Sequence, residues 1–249
     1  MESRIKQAHG YVIATVLLAA QSMAGEKISL YYNERVPYLE TQANGDVQGL
    51  TATPAKLVFQ RAGIPFEWKK SSVTAQLLLI RENQRKGCLV GWYKNPEREK
   101  LGKFSHPIYQ GRLTIALGLA DNPKIGSEQS PRELLQNKQT TLLVKEGYSY
   151  GHILDIMIAQ TQPRISVATG ENINMLSMLV YKRADYFFVG EFEALELIRH
   201  SEYTQKDFKL MRFAEPLPEE PRHLWCSKQV PDDVIDKLNV EIDKLKIKQ

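Results

Sequence analysis

Strand and helix patterns alternate twice along this chain, and that alternation narrows the fold more than any other feature. In the first round, Lys27 to Tyr32 reads as a strand. Thr53 and Pro54 read as an N-cap and first helical residue, opening a helix that stops at Gly63. Pro65 to Lys69 is a second strand. Val73 to Arg85 sets Leu77, Leu78, Ile80 and Arg81 at helical spacing and ends at Gly87, and Cys88 to Tyr93 is a third strand. Such a β-α-β-α-β unit calls for parallel strands. The second round follows a β-rich stretch, Gly111 to Leu119. Ser130-Pro131-Arg132-Glu133 is a capping box with proline at the first helical position. Strands are expected at Thr140 to Lys145, Arg164 to Ala168, Asp185 to Val189 and Phe208 to Phe213. Helices are expected at His152 to Gln160, Asn172 to Tyr181 and Phe192 to His200. Proline-rich Pro216 to Pro221 then leads to a strand, His223 to Ser227, and a last helix opened by Pro231-Asp232-Asp233, whose acids suit a helix N-terminus. Two such units with a return crossing predict an α/β chain of two lobes, with mixed sheets and a cleft between them.

The first 24 residues read as a leader outside this fold. Arg4 and Lys6 make a positive start, Tyr11 to Ala20 is apolar but too short to span a bilayer, and Ser22-Met23-Ala24 offers small residues for cleavage before Gly25. No cysteine adjoins that point, so a periplasmic protein free of a lipid anchor is expected. The whole chain carries 33 basic and 29 acidic residues, a net +4, and +3 without Glu2, Arg4 and Lys6. The basic residues are scattered rather than striped, which excludes a nucleic-acid surface.

The sequence offers little for catalysis. The five histidines have no metal-ligand spacing, and Gly-x-Ser-x-Gly, P-loop and dinucleotide motifs are absent. No catalytic residue, metal or cofactor is assigned. The stretch with most chemistry is Gly91-Trp92-Tyr93-Lys94-Asn95-Pro96-Glu97-Arg98, continuing to Phe104-Ser105-His106-Pro107-Ile108-Tyr109. It follows apolar Cys88-Leu89-Val90 and reads as a loop beyond a strand's carboxyl end, where open α/β sheets bind ligands. Arg98 brings a fork that matches a carboxylate. Trp92 and Tyr93 alternate along the strand, so one of them is expected to face the cleft.

This stretch resembles the Pro-Glu-Arg … Phe-Ser-x-Pro-Tyr signature of the type II periplasmic solute-binding proteins, family 3, typified by polar amino-acid receptors. Further landmarks agree: Pro37-Tyr38, Asn44-Gly45, Gly49-Leu50, Gly147-Tyr148-Ser149 and Arg183-Ala184-Asp185. The resemblance implies lobe 1 from 25–114 and 222–249, and lobe 2 from 115–221. It implies a monomer that captures a small carboxylate-bearing ligand, an amino acid or relative, and delivers it to the membrane subunits of an ABC importer. A module feeding a sensor partner is the alternative, and the same scaffold also hosts a dehydratase of the cyclohexadienyl type. Arg98 falls on the family's carboxylate clamp, and Tyr148 and Ser149 on the second-lobe loop that meets the same group. Tyr38 serves equally as ligand wall or core. The acid that holds an α-ammonium would stand at Gly190, so either Glu191 takes that role or the ligand lacks the amino group. The resemblance sets Cys88 and Cys226 in strands of one lobe, where two free buried thiols are expected rather than a bridge.

Overall fold

The computed structural model describes residues 26–126 and 130–245; the expected leader and its cleavage point lie outside them. In chain order the elements are β1 (Ile28–Tyr32), β2 (Glu40–Thr41), β3 (Val47–Gln48), α1 (Ala52–Arg61), β4 (Phe66–Lys70), α2 (Val73–Glu82) and β5 (Gly87–Tyr93). Then come α3 (Pro96–Leu101), β6 (Gly102–Gln110), β7 (Leu113–Leu119), α4 (Pro131–Gln136), β8 (Thr141–Lys145), α5 (His152–Thr161) and β9 (Arg164–Ala168). The series closes with α6 (Asn174–Val180), β10 (Tyr186–Gly190), α7 (Glu191–Arg199), β11 (Phe208–Met211), β12 (Leu217–Pro218), β13 (Pro221–Ser227) and α8 (Asp232–Lys244).

Apart from β2 and β3, which pair with each other, these strands form two mixed sheets, the α/β architecture expected. The first runs β4-β1-β5-β13-β6. Its β1, β4 and β5 are parallel, while β13 is antiparallel to both β5 and β6. The second runs β11-β7-β10-β8-β9, with β12 also on β7. The chain leaves the first sheet after Gln110 and returns to it at Pro221. Both faces of each sheet are covered, which is why the central strands read as apolar runs rather than alternating ones. On the first sheet, Ala55, Val58 and Phe59 of α1 and Ile235, Leu238 and Ile242 of α8 pack on one face. Val73 and Ile80 of α2 pack on the other face with Leu89, Trp92 and Trp225. On the second sheet, α6 and α7 cover one face and α4 and α5 the other.

The predicted capping box is present: Ser130 Oγ accepts from the Glu133 amide and Glu133 returns the bond to Ser130 N. Three expectations need correction. First, Gly91 to Tyr109 is not a loop. Its start lies in β5, Pro96–Leu101 is a helix capped by Asn95, and Gly102–Gln110 is a strand. The strand lacks period-two burial because its register on β13 shifts twice, leaving Gly102, Ser105 and Ile108 buried at intervals of three. Second, α1 begins at Ala52, so Pro54 sits inside the first turn instead of opening it. Third, Cys88 and Cys226 are not free. They oppose each other on β5 and β13 and are disulfide-bonded. Only the insertion of β13 beside β5 joins residues 138 apart in sequence. Closing so long a loop restricts the unfolded chain and typically contributes about 2–4 kcal/mol.

Candidate functional site

Arg98 is placed by a helix of one and a half turns. Asn95 Oδ1 accepts from the Arg98 amide at 2.9 Å, and Pro96 takes the first helical position where no N–H is needed. The Arg98 side chain is buried. Its Nη1 donates to the Tyr93 carbonyl at 2.7 Å and its Nη2 to the Gly147 carbonyl, on a loop of the second sheet, at 3.2 Å. The guanidinium carbon lies 4.7 Å from the Trp92 ring centre and 5.6 Å from that of Trp225. No carboxylate forms an ion pair with it among the described residues. Burial pushes its pKa down to about 10, with only a distant Asp155 opposing that. A desolvated cation held by carbonyls and ring faces alone is incompletely compensated.

Arg35, after β1, has the opposite surroundings. Its Nε and Nη2 make a two-pronged pair with Glu193 of α7, at 2.8 and 2.9 Å. Glu193 is only 1 % exposed and also accepts from Asn172 Nδ2 at 3.1 Å. The Tyr148 ring lies under the Arg35 guanidinium at 4.6 Å. Burial is the largest single influence and works against the charge on Arg35, but Glu193, Tyr148 and Tyr38 together outweigh it and raise the proton affinity well above the ordinary arginine value. The pair latches the first sheet's loops to the second sheet's helix.

A third buried guanidinium, Arg222 of β13, sits between the rings of Tyr38 (4.1 Å) and Tyr93 (4.5 Å). Its Nη2 donates to the Tyr93 hydroxyl at 3.1 Å and to Glu219 Oε1 at 3.2 Å. Glu219 Oε1 also accepts from the hydroxyls of Tyr38 and Tyr93, at 3.1 and 3.3 Å. Glycine at 190 and 111 makes room for this carboxylate. A Cβ at Gly190 would meet Glu219 Oε1 at 2.6 Å, and one at Gly111 would run into Oε2. An acid from another strand thus stands where a side chain at 190 would begin.

The arginines surround two adjoining hollows of about 30 Å³ each, room for two or three waters apiece. Tyr93, Tyr148, Ser149, Arg35 and Arg222 border both. Of the sequence-selected residues, Arg98, Tyr38, Trp92, Tyr93, Tyr148 and Ser149 therefore come together. Trp92 and Tyr93 both reach the cleft, contrary to strict alternation. Gly91, at φ +81, is an unpaired extra residue opposite the His223–Leu224 step, and such a bulge re-aims the side chains that follow. The Ser149 hydroxyl is engaged by Asp155 at the start of α5. Glu191 is not brought in: it pairs with Arg212 and borders a separate outer groove with Leu50 and Phe192. Sequence reasoning missed Arg35, Lys145, Glu193, Glu219 and Arg222. Arg35, two residues before Pro37-Tyr38, and Arg222, at the head of the return strand, were the available signals.

Among the described residues no three His, Cys, Asp or Glu side chains gather as metal ligands, and no helix is long and apolar enough to cross a membrane. The family model for bacterial extracellular solute-binding proteins, family 3, matches residues 29–248. The chain belongs to that family. An ancestral arginine-binding protein bound to arginine superposes with a TM-score of 0.70 at 16% identity, covering 89% of this chain and 93% of its own. A periplasmic binding protein of Salmonella typhimurium, noted for high arginine specificity, gives 0.66 at 15% identity over 89% and 94%. A proposed L-cystine ABC transporter protein from Listeria monocytogenes gives 0.71 at 16% over 89% and 90%. At these identities the likeness carries the fold, that of type II periplasmic binding proteins. No curated protein sequence matches.

Proposed function

We propose, with membership of solute-binding family 3 as the premise, that this chain captures a small carboxylate-bearing solute in the cleft between its two sheets. The observation that carries the reading is Arg98: a buried guanidinium bonded to two carbonyls, stacked on Trp92, with no acid paired to it among the described residues. A ligand carboxylate would complete its bonding by a charge-assisted fork. The latch between Arg35 and Glu193, and the bond from Arg98 to Gly147, both span the two sheets. They mark the closed arrangement, which a bridging ligand would favour over an open one by its differential affinity.

In this reading the first lobe is formed by the chain before the crossing at Gly111 and after Pro221, and the second by the segment between. The protein works in the periplasm as a monomer and presents its closed form to the membrane subunits of an ABC importer. Chemistry on the bound molecule is not required, in keeping with a family of binding proteins.

A thermal-shift panel of amino acids and small organic acids on the purified protein tests this. A ligand at a hundredfold over its dissociation constant should add about 2.7 kcal/mol of stability. A panel in which no carboxylate-bearing compound shifts the midpoint would overturn the reading.

A further inference from the structure

Four cationic side chains border the two hollows: Arg35, Arg98, Lys145 and Arg222. The acids near them are engaged. Glu193 has both oxygens on Arg35. Glu219 takes Tyr38, Tyr93 and Arg222 on one oxygen, and the residue borders the outer groove rather than either hollow. Asp155 accepts from Ser149 Oγ and the Tyr150 amide. Glu191 is turned out to Arg212. Lys145 Nζ reaches only the carbonyls of Thr169 and Gly170. Among the described residues Glu193 is the one acid that borders the hollows, and both its oxygens are on Arg35, so a ligand's ammonium group there would have no free carboxylate to meet.

Donor capacity, by contrast, is left over. Arg98 and Lys145 have no paired acid among the described residues. Arg222 is 3 % exposed and is paired through Nη2 with Glu219 and bonded through Nη1 to the Gly91 carbonyl, but its Nε has no hydrogen-bond partner among the described residues. The two guanidiniums hold opposite ends of Tyr93, Arg98 at the backbone carbonyl and Arg222 at the phenol oxygen. They are a tyrosine's length apart, a span suited to two separate carboxylates and not to one small oxyanion. The limited room in the hollows favours a short molecule.

Resting on the carboxylate reading above, we infer that the ligand is a compact dicarboxylate with no ammonium group, one carboxylate at Arg98 and the other at Arg222. An amino-acid zwitterion would bring a cation into a cleft that already holds an excess of them. Arginine, bound by two of the similar proteins, would bring a second.

Calorimetry on the wild-type protein tests this by changing the ligand, so that no variant has to fold. The probes are succinate, butyrate, L-aspartate, L-arginine and sulfate. Succinate should bind. Butyrate, which lacks one carboxylate, should bind about tenfold or more weakly, as loss of a charge-assisted contact implies. L-Aspartate, which adds only an ammonium group, should also lose about tenfold or more, and L-arginine and sulfate should bind more weakly still. L-Aspartate or L-arginine binding at least as tightly as succinate would overturn the inference while leaving the carboxylate reading standing. Butyrate or sulfate matching succinate would overturn the two-anchor arrangement. Silence from every probe would sink the inference; the broader panel above then decides the carboxylate reading separately. An Arg98→Lys variant adds a check on the first anchor: it should weaken succinate and butyrate alike, because both would use that carboxylate site.

Discussion

Arg35 and Arg98 follow strands of the same sheet, border the same cleft and stack on aromatic rings, yet they have different partners. Arg35 meets Glu193 through two bonds and is finished within the protein. Arg98 meets only carbonyl oxygens and ring faces. Glu193 takes two prongs of the Arg35 fork, and that pair joins elements of the two sheets. In the proposed reading, Arg98 keeps its fork for an anion from outside. The difference teaches that burial and residue type alone do not separate a structural guanidinium from a candidate ligand anchor; the donors left without an acid do.

The contrast has consequences of descending size. Glu193→Gln removes the buried acid from half-buried Arg35, and should destabilise the fold by about 3 kcal/mol, the low end for breaking a buried pair, read from urea unfolding. A loss below 1 kcal/mol would mean that the latch is not structural. Arg98→Ala should do the reverse. It should weaken a carboxylate ligand by about 1.5–3 kcal/mol, roughly tenfold to a hundredfold or more, in calorimetry. Its unfolding free energy should change less than that of Glu193→Gln, since a desolvated charge is removed with its carbonyl bonds. Tyr148→Phe keeps the ring under Arg35 but removes the hydroxyl that bonds Asn172 and Asn33. That variant should lose about 0.5–1.5 kcal/mol of stability, a neutral hydrogen bond's worth.

The smallest effect concerns His223, beside Phe104 in the aromatic wall behind Arg98. Burial lowers its pKa from 6.5, and its Nδ1 faces the Ser105 carbonyl at 2.8 Å. The folded form therefore binds this proton less readily than the unfolded chain. Stability associated with neutral His223 is present above pH 6.5 and is lost as pH falls through the lowered folded value. Unfolding curves of wild type and His223→Gln, taken from pH 7 down to 5, should converge toward the acid end. Parallel curves would remove His223 from the pH response.

Much of the fold was legible because its signals are local. Ser130 and Glu133 cap one helix from within four residues, and apolar runs such as Leu142-Leu143 announce buried strands. The strand β6 was not legible, because its burial follows a shifting register on β13 rather than its own period. Half of the cleft was readable in the same sense. Arg98 stands in a recognisable stretch of chain, with Trp92 and Tyr93 nearby.

The alternation of strands and helices, the capping signals and the segment around Arg98 were written in the sequence, since neighbours along the chain decide periodicity and turns. The partners were not. Glu193 lies 158 positions from Arg35 and Glu219 lies 126 from Tyr93, and Cys226 reaches Cys88 only because β13 enters the first sheet in antiparallel register. Whether a buried charge is balanced depends on contacts between distant segments, and no local pattern encodes them. Tertiary packing alone therefore decided that Arg35 is paired with an acid and that Arg98 meets only carbonyls and ring faces.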